Sequence, residues 1–376
     1  MKISVLQEDL NRGLSIVSRS VSAKAALPIL ANILVGTEEK RLKLSATNLE
    51  TGINLWIGAK VDKEGSIAIP AKILTEFISS LPAEKVELEG KETTLFVSSP
   101  QFKANILGMD PSEFPKISSF SGDPVLVFEK VELIKALSQV TIAAAQDEGR
   151  PVLTGVLVKG EEKNLLLVAT DGYRLSLKRI VTEENKIGRD NFVIPAKALL
   201  EVSRICQEDS SENKTIKMGL TPEKSQVIFC LPEVEFSSRL IEGEFPDFEK
   251  IIPKNCTTKA VFGREELLRA VKTASIFARE QANIIRLKIN PSTNGGKLVI
   301  SAETPQVGAN ESEIEANIEG ESLEIAFNFR FLLDFLGVVS GEEVIFEASG
   351  PLTPGVFRLK GDESFFHIIM PVRIQS

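Results

Sequence analysis

The segment LLLVATDGYRLSLK occupies Leu165–Lys178, and a similar segment, LKLSATNLETGINL, occupies Leu42–Leu55. A weaker third copy, KLVISAETPQVGANESEI, occupies Lys297–Ile314. Each copy has two runs rich in apolar residues around a turn-forming centre, which predicts strand, turn, strand. Three copies spaced by about 125 residues indicate that the 376-residue chain is built from an internal repeat.

The repeat continues after each of these copies. IAIPAKILTEFISSLP (Ile67–Pro82) corresponds to FVIPAKALLEVSRICQ (Phe192–Gln207) and to LEIAFNFRFLLDFLGVV (Leu323–Val339). These segments predict a strand followed by a helix, and the first two have proline at the helix start, where its missing N–H costs nothing. Further on, SEFPKI (Ser112–Ile117) corresponds to GEFPDFEKI (Gly243–Ile251).

Every copy also opens with an amphipathic helix. In the first copy, basic residues lie on a different face from the predicted apolar stripe, which consists of Leu6, Leu10, Leu14, Val17 and Val21. Arg12 and Arg19 are seven residues apart on that other face, and Arg269, Lys272 and Arg279 share one side of the third helix. The second helix shows the same pattern more weakly.

These patterns predict the α+β class, with three similar domains that each pack two helices on a mostly antiparallel sheet. The polar stretches Ser118–Pro124 and Pro253–Thr258, which carry proline, predict the boundaries between the domains. The expected domains are 1–122, 123–255 and 256–376.

Composition limits the possible functions. There are 44 Lys and Arg residues against 52 Asp and Glu, and the net charge of −8 confines any nucleic-acid contact to one face of the protein. One Trp and one Tyr beside 21 Phe leave few platforms on which single-stranded bases could stack. Three cysteines without a CxxC motif and a single histidine cannot form a Cys/His zinc site, so no metal or cofactor is expected.

The same sequence predicts a cytoplasmic protein without a membrane partner. No apolar run approaches the roughly 18 residues that a membrane span needs. The amino end lacks a basic head followed by an apolar stretch, and the odd cysteine count is typical of a reducing compartment.

In its motifs the chain resembles the bacterial DNA polymerase III β subunit family, the sliding clamps. The resemblance covers the whole chain. It is carried by LPIL (Leu27–Leu30), ATDGYRL (Ala169–Leu175), two IPAK segments (Ile69–Lys72 and Ile194–Lys197), EFPDF (Glu244–Phe248), FNFRFLLDFL (Phe327–Leu336) and MPVRI (Met370–Ile374).

The resemblance implies the DNA clamp fold and a head-to-tail homodimer whose six domains form a ring around duplex DNA. It implies binding that is independent of DNA sequence, and tethering of the replicative polymerase and repair proteins through short linear motifs. It also implies a separate clamp loader, because the chain has no nucleotide-binding motif. Two chains can close a head-to-tail contact into a ring, and basic helix faces inside it would reconcile DNA binding with the negative total charge.

Three sets of site residues follow. The helix patterns and the resemblance together predict DNA-binding bases at Arg12, Arg19, Lys24, Arg150, Lys197, Arg204, Arg269, Lys272 and Arg279. The resemblance implies a groove for client peptides, the client groove, at Leu153, Thr170, Gly172, Tyr173, Arg174, Leu175, Pro246, Lys250, Ile251, Asn328, Phe331, Met370, Pro371, Val372 and Arg373. It also implies a dimer seam at Phe102, Ala104, Ile276 and Phe277.

Two other classes of function stay open at this level. One is an interaction scaffold with a clamp fold that does not encircle DNA. The other is an enzyme that uses the groove near Asp171 and Arg174. The chain has neither a phosphate-binding G-x-x-x-x-G-K-[ST] motif nor a G-x-S-x-G motif. An Asp followed by Gly is typical of a bend, and His367 is predicted to be a strand residue, so no catalytic residue is expected.

Overall fold

The computed structural model describes residues 1–22, 27–147, 149–161, 164–182, 184–188, 190–209, 211–279, 282–293, 295–305 and 308–373. The helices of these residues are α1 (Gln7–Val17), α2 (Ala71–Ser80), α3 (Lys130–Thr141), α4 (Ala196–Glu208), α5 (Arg264–Ala278) and α6 (Phe329–Val338). Each repeat therefore contributes two helices, as the sequence predicts.

The strands account for most of the remaining chain. They are β1 (Lys2–Leu6), β2 (Asn32–Glu38), β3 (Arg41–Thr47), β4 (Thr51–Ile57), β5 (Lys60–Lys63), β6 (Ser66–Pro70), β7 (Lys85–Lys91), β8 (Thr94–Ser98), β9 (Lys103–Leu107), β10 (Leu126–Glu129), β11 (Gly155–Glu161), β12 (Asn164–Thr170), β13 (Arg174–Val181), β14 (Glu184–Asn185), β15 (Asn191–Pro195), β16 (Thr215–Leu220), β17 (Gln226–Cys230), β18 (Val234–Arg239), β19 (Thr258–Gly263), β20 (Ile284–Ser292), β21 (Gly295–Thr304), β22 (Gly308–Gly320), β23 (Leu323–Asn328), β24 (Glu343–Ala348), β25 (Gly355–Leu359) and β26 (Asp362–Ile369).

The chain forms two compact units. The first unit consists of Met1–Lys130 with Arg204–Leu240, and the second consists of Val131–Ser203 with Ile241–Ser376. The first unit contains a five-stranded sheet of order β5-β1-β7-β8-β9 and a larger sheet in which β10-β16-β17-β18-β4-β3-β2-β6 are neighbours. The second unit contains a twelve-stranded sheet of order β15-β11-β12-β13-β26-β25-β24-β19-β22-β21-β20-β23. Helices on antiparallel sheets confirm the predicted α+β class.

One main-chain hydrogen bond recurs at the equivalent position of all three repeats. It joins the segment after the last strand of a repeat to the strand that precedes its second helix. The bonds run from Met109 N to Ala68 O (2.8 Å), from Ile241 N to Val193 O (2.8 Å) and from Val372 N to Ala326 O (2.9 Å).

Sheets also continue from one repeat into the next through a strand pair that we term a joint. In the first joint β4 pairs antiparallel with β18, and Ile53 lies opposite Phe236. In the second joint β13 pairs antiparallel with β26, and Ser176 lies opposite His367. Both joints use the second strand of the strand–turn–strand motif in one repeat and the last strand of the following repeat.

The first helix differs in part from its predicted pattern. Leu10 and Leu14 are buried, but Leu6 is exposed because it ends strand β1 instead of lying on the helix. The helix ends at Val17, and a 3₁₀ turn over Ser18–Ser20 carries Arg19. The stripe prediction was therefore wrong at Leu6, since periodicity alone does not detect that a strand enters the helix.

Close packing of α1 on its sheet depends on Gly13. A Cβ atom at this position would lie 2.6 Å from Cδ1 of Ile57 and 3.1 Å from Cδ1 of Leu44. Since both side chains are buried, neither has room to move away. Glycine thus allows the helix that carries Arg12 to approach β3 and β4 closely.

Phenylalanine dominates the core of the second unit. The ring of Phe357 lies 5.7 Å from that of Phe327, 5.8 Å from that of Phe335 and 5.0 Å from that of Phe346, measured between centroids. These rings meet edge-on or tilted, the arrangements that aromatic pairs prefer.

Among the described helices, none combines the length and apolar character needed to cross a bilayer.

Candidate functional site

The turn between β12 and β13 is fixed by its own side chains. Thr170 Oγ1 donates to the carbonyl oxygen of Arg174 at 2.7 Å and accepts from Gly172 N at 3.1 Å. Gly172 has φ +91°, a conformation that favours glycine. The ATDG motif therefore specifies one turn geometry.

Asp171 completes this turn with its carboxylate. Oδ1 accepts from Tyr173 N at 2.9 Å and from Arg174 N at 3.0 Å, while Oδ2 accepts from Arg174 Nε at 2.9 Å. Asp171 thus has the bend-forming role that the sequence predicts for it.

Arg174 ties the turn to helix α6. Its Nη1 donates to Asp334 Oδ2 at 2.5 Å, and its guanidinium carbon lies 4.4 Å from the centroid of the Phe331 ring. The residue is only 8% exposed, so its charge needs the two carboxylates and the aromatic face around it. Asp334 is not among the site residues predicted from the sequence. The lone acid in the largely apolar segment FNFRFLLDFL is the signal that could have found it.

The carboxyl-terminal segment lies across the same turn. Met370 N donates to the carbonyl oxygen of Tyr173 at 2.8 Å, and Val372 N donates to that of Ala326 at 2.9 Å. Tyr173 is exposed, and Met370 is 37% exposed. The structure therefore brings two accessible apolar side chains together beside the buried Arg174.

The remaining predicted groove residues differ in exposure. Those on the surface are Gly172, Pro246, Lys250 and Arg373, those half-buried are Ile251, Asn328, Phe331, Pro371 and Val372, and those buried are Leu153, Thr170 and Leu175. The buried members can form only the floor of a groove. Asn328 caps α6 by accepting from Arg330 N at 3.0 Å, and Lys250 pairs with Asp247 at 2.9 Å, which raises the pKa of Lys250.

Beneath this site, the second joint contains buried polar side chains. His367 Nδ1 lies 2.8 Å from Ser176 Oγ, and its ring stacks on Phe335 at 5.7 Å between centroids. Lys178, also buried, lies 2.6 Å from Ser364 Oγ and 3.3 Å from Glu132 Oε1. Burial, followed by the positive charge of Arg174, lowers the pKa of His367 to about 3.

His367 should therefore stay neutral down to acidic pH. The chain has one histidine, so its Cε1–H resonance is unambiguous, and we expect its chemical shift to be constant from pH 8 to pH 5. The folded pKa of His367 lies below 6.5, the ordinary value for histidine, so the unfolded state takes up the proton first. Stability should fall as the pH drops from 6.5 towards 3, by on the order of 1 kcal/mol per pH unit. A titration midpoint near 6.5 in the folded protein would contradict this assignment, and His367→Gln should remove this contribution.

The predicted DNA-binding bases are accessible wherever the structure describes them. Lys24 lies outside the described residues. Arg19 is half-buried, and the other members are exposed: Arg12, Arg150, Lys197, Arg204, Arg269, Lys272 and Arg279. Arg12, Lys197, Arg204, Arg269 and Lys272 lie on α-helices, as the patterns predict.

The predicted seam residues lie on or near a bare sheet edge and on α5. β9 is the end strand of the five-stranded sheet, and no described strand pairs with its outer edge. Phe102 is exposed and Ala104 half-buried, while Leu107, which is not among the predicted seam residues, is 74% exposed. Ile276 on α5 is 59% exposed, and Phe277 packs partly against the core.

A second bare edge belongs to the second unit. Residues 316–320 of β22 pair with β19, whereas residues 308–315 pair only with β21 within the described part of the chain.

Among the described residues, no group of His, Cys, Asp and Glu could hold a metal ion.

Comparisons with known proteins identify the family. Models of the DNA polymerase III beta subunit match in three parts: the N-terminal domain at residues 1–118, the central domain at 128–247 and the C-terminal domain at 249–373. A beta sliding clamp from Staphylococcus aureus is 32% identical over 368 residues, covering 94% of each chain. One from Staphylococcus epidermidis is 30% identical over 365 residues, again with 94% of each covered.

Solved structures agree along the whole chain. The DNA polymerase sliding clamp from Bacillus subtilis is 29% identical with a TM-score of 0.93, and both chains are covered completely. The DNA polymerase III beta subunit from Thermotoga maritima is 27% identical with a TM-score of 0.90, also with complete coverage. The chain therefore belongs to the DNA polymerase III beta subunit family, the beta sliding clamps.

Proposed function

We propose that this protein is a DNA sliding clamp: two copies join head to tail into a ring that encircles duplex DNA and tethers the replicative polymerase and repair proteins to it. The ring acts in the cytoplasm as a processivity factor and performs no catalysis itself. Residues 1–122, 123–255 and 256–376 are its three clamp domains. The observation that carries the proposal is the repeated joint, because the strand register of the two observed joints predicts a third joint between copies.

The two observed joints obey one register. Phe236 lies opposite Ile53 in the first joint, and His367 lies opposite Ser176 in the second. Phe236 precedes Ile241 by five residues, and His367 precedes Val372 by five. Ile241 and Val372 are the residues that make the recurrent main-chain bond. Across their own hairpins, Ile53 pairs with Ala46 and Ser176 pairs with Ala169. The equivalent alanine of the third repeat is Ala302, and its partner across the hairpin is Asn310.

The same register specifies the joint between copies. In the first repeat, Met109 makes the recurrent bond, and Ala104 lies five residues before it on β9. Asn310 of one copy would therefore lie opposite Ala104 of the second copy, and Glu311 opposite Lys103. Both strands have the bare edges that this pairing requires. Opposite charges that face each other across strands stabilise the pair, so the assigned register is chemically consistent.

Two such joints close the assembly. A head-to-tail contact either forms a ring or grows indefinitely, and closure after two copies covers every bare edge of this kind. The seam then comprises Phe102 and Ala104 of one copy with Ile276 and Phe277 of the other. The exposed Ile276 side chain supports this, because a large apolar side chain on a surface helix is typical of an interface.

Accessible bases on helices suit a ring that slides. Lys and Arg contacts to phosphate carry no sequence information and weaken as salt rises. The predicted DNA-binding set would therefore hold duplex DNA without reading its bases, while the closed ring provides long residence. Clients would dock through short linear motifs in the client groove, where Tyr173 and Met370 offer apolar contact. A clamp loader would open the ring.

The test measures topological retention. The protein is first allowed to thread onto a labelled linear duplex, and both DNA ends are then blocked with bound streptavidin. We expect protein to remain on doubly blocked DNA through a wash at roughly 0.5 M salt, which screens phosphate contacts. It should leave when one end is freed by restriction cutting. Equal loss from blocked and open DNA would indicate a scaffold that does not encircle DNA.

A further inference from the structure

Two of the predicted DNA-binding arginines are engaged by carboxylates from distant parts of the chain. Arg12 Nη2 lies 3.2 Å from Glu233 Oε2, a residue 221 positions away. Arg19 Nη2 lies 2.5 Å and 2.7 Å from the two carboxylate oxygens of Glu208, which is 189 positions away. All four residues belong to the first unit. In this structure, therefore, carboxylate oxygens lie where phosphate oxygens would have to bind.

The two acids flank one cleft of the first unit. Arg12, Glu208 and Glu233 lie at this cleft, which also has apolar lining from Ile16 and Ile205. Glu208 is the last residue of α4, where the helix dipole disfavours a negative charge. Its position therefore does not stabilise its own helix, but it does place a carboxylate against Arg19.

Bases of the second unit provide a contrast. Lys197, Lys272 and Arg279 are exposed, and no described carboxylate lies within ion-pair distance of them. The predicted DNA-binding set thus contains two classes: bases that phosphate can reach directly, and arginines that must first leave an acid.

We propose that Glu208 and Glu233 compete intramolecularly with DNA phosphate for Arg12 and Arg19, and that they thereby lower the affinity of the ring for DNA. This inference rests on the proposed function. Ion pairs between partly exposed groups are weak, so phosphate can displace the two carboxylates. Each displacement nevertheless offsets part of the free energy of the phosphate contact, because the arginine loses its carboxylate partner. The acids therefore weaken binding without preventing it, which favours movement along the duplex.

The experiment compares the full-length protein with Glu208→Gln, Glu233→Gln and the double variant. Affinity for a short fluorescent duplex is measured by anisotropy at about 0.1 M salt. The double variant should bind about three- to tenfold more tightly, and this gain should shrink as salt rises. Glu39→Gln is the matched control, because Glu39 also pairs with an arginine of the first unit, Arg41, at 3.6 Å. It removes one negative charge, as each single variant does, and should change the affinity little.

A double-mutant cycle decides whether the acids act through the arginines. In an Arg12→Ala, Arg19→Ala background, removing the two acids should give no gain in affinity. A gain that persists there, an equal gain in Glu39→Gln, or no gain in the Gln double variant would each overturn the inference. None of these outcomes affects the proposed function, which fails only if the wild-type protein leaves DNA whose ends are blocked.

Discussion

Lys103→Glu should convert the dimer into monomers at concentrations where the wild-type protein is fully dimeric, and adding Glu311→Lys in the same chain should restore the dimer. The proposed register places these residues opposite each other in both seams of the proposed ring. The single variant then creates two pairs of facing carboxylates. At about 1.4 kcal/mol for each seam, the dimer dissociation constant should rise about 100-fold. Sedimentation velocity across a dilution series measures the change.

Rescue by the double variant is the decisive part of this experiment, because exchanging the two charges restores the attraction only if the residues face each other. Glu311→Lys alone should weaken the dimer as Lys103→Glu does. If the double variant is as monomeric as either single variant, the register is wrong. Both side chains are exposed within one chain, so these changes should leave its fold intact.

The apolar part of the seam offers an independent check. Ile276→Asp places a charge on an exposed position of α5 and should also yield monomers, because the interface would have to desolvate the carboxylate. Val181→Asp is the matched control, since Val181 is 79% exposed and lies outside the predicted seam. A dimer that survives Ile276→Asp unchanged would remove α5 from the seam.

Replacing Tyr173 and Met370 together by Ala should lower the affinity for a client peptide about 100-fold. The two side chains are the accessible apolar groups that the turn and the carboxyl-terminal segment bring together. Truncation of a central apolar contact typically costs about 1–2 kcal/mol, and two such losses give this factor. The measurement is fluorescence anisotropy with a labelled peptide that begins with Gln and ends in hydrophobic residues.

Asp334→Asn tests whether the shape of the client groove affects peptide binding when its apolar contacts are kept. Asp334 pairs with Arg174, so loss of its charge should loosen the link between α6 and the turn and weaken peptide binding by about fivefold. Val181→Ala removes an exposed apolar side chain elsewhere in the second unit and should have no effect. Unchanged peptide affinity in the Tyr173→Ala, Met370→Ala variant would show that clients bind elsewhere.

Local features of the fold could be predicted from the sequence because the responsible contacts are local. Thr170, Asp171 and Gly172 bond within a few residues of one another, so their pattern alone specifies the turn. Likewise, the segments with proline before a helical pattern form a strand and a helix as predicted. Leu6 shows the limit, since its exposure depends on the preceding strand.

The missing parts of the site depend on residues that are distant in sequence. Arg174 meets Asp334 across 160 positions, and Arg19 meets Glu208 across 189. No spacing rule connects such pairs, because the intervening chain sets their approach. The proposed pairing of Glu311 with Lys103 likewise rests on the register of the two observed joints, although the repeats themselves were visible in the sequence.

The bare edges of β9 and β22 in the described part of the chain have a consequence for newly synthesised protein. In the proposed seam, the edge of β9 in one copy pairs with the edge of β22 in the next. Copies can therefore add to one another without limit unless the rotation between them brings the last edge back to the first. The rotation between successive copies, which the three repeats of each chain determine, therefore decides whether the assembly closes or grows into a fibre. Inserting or deleting residues between repeats would endanger solubility before it affected folding.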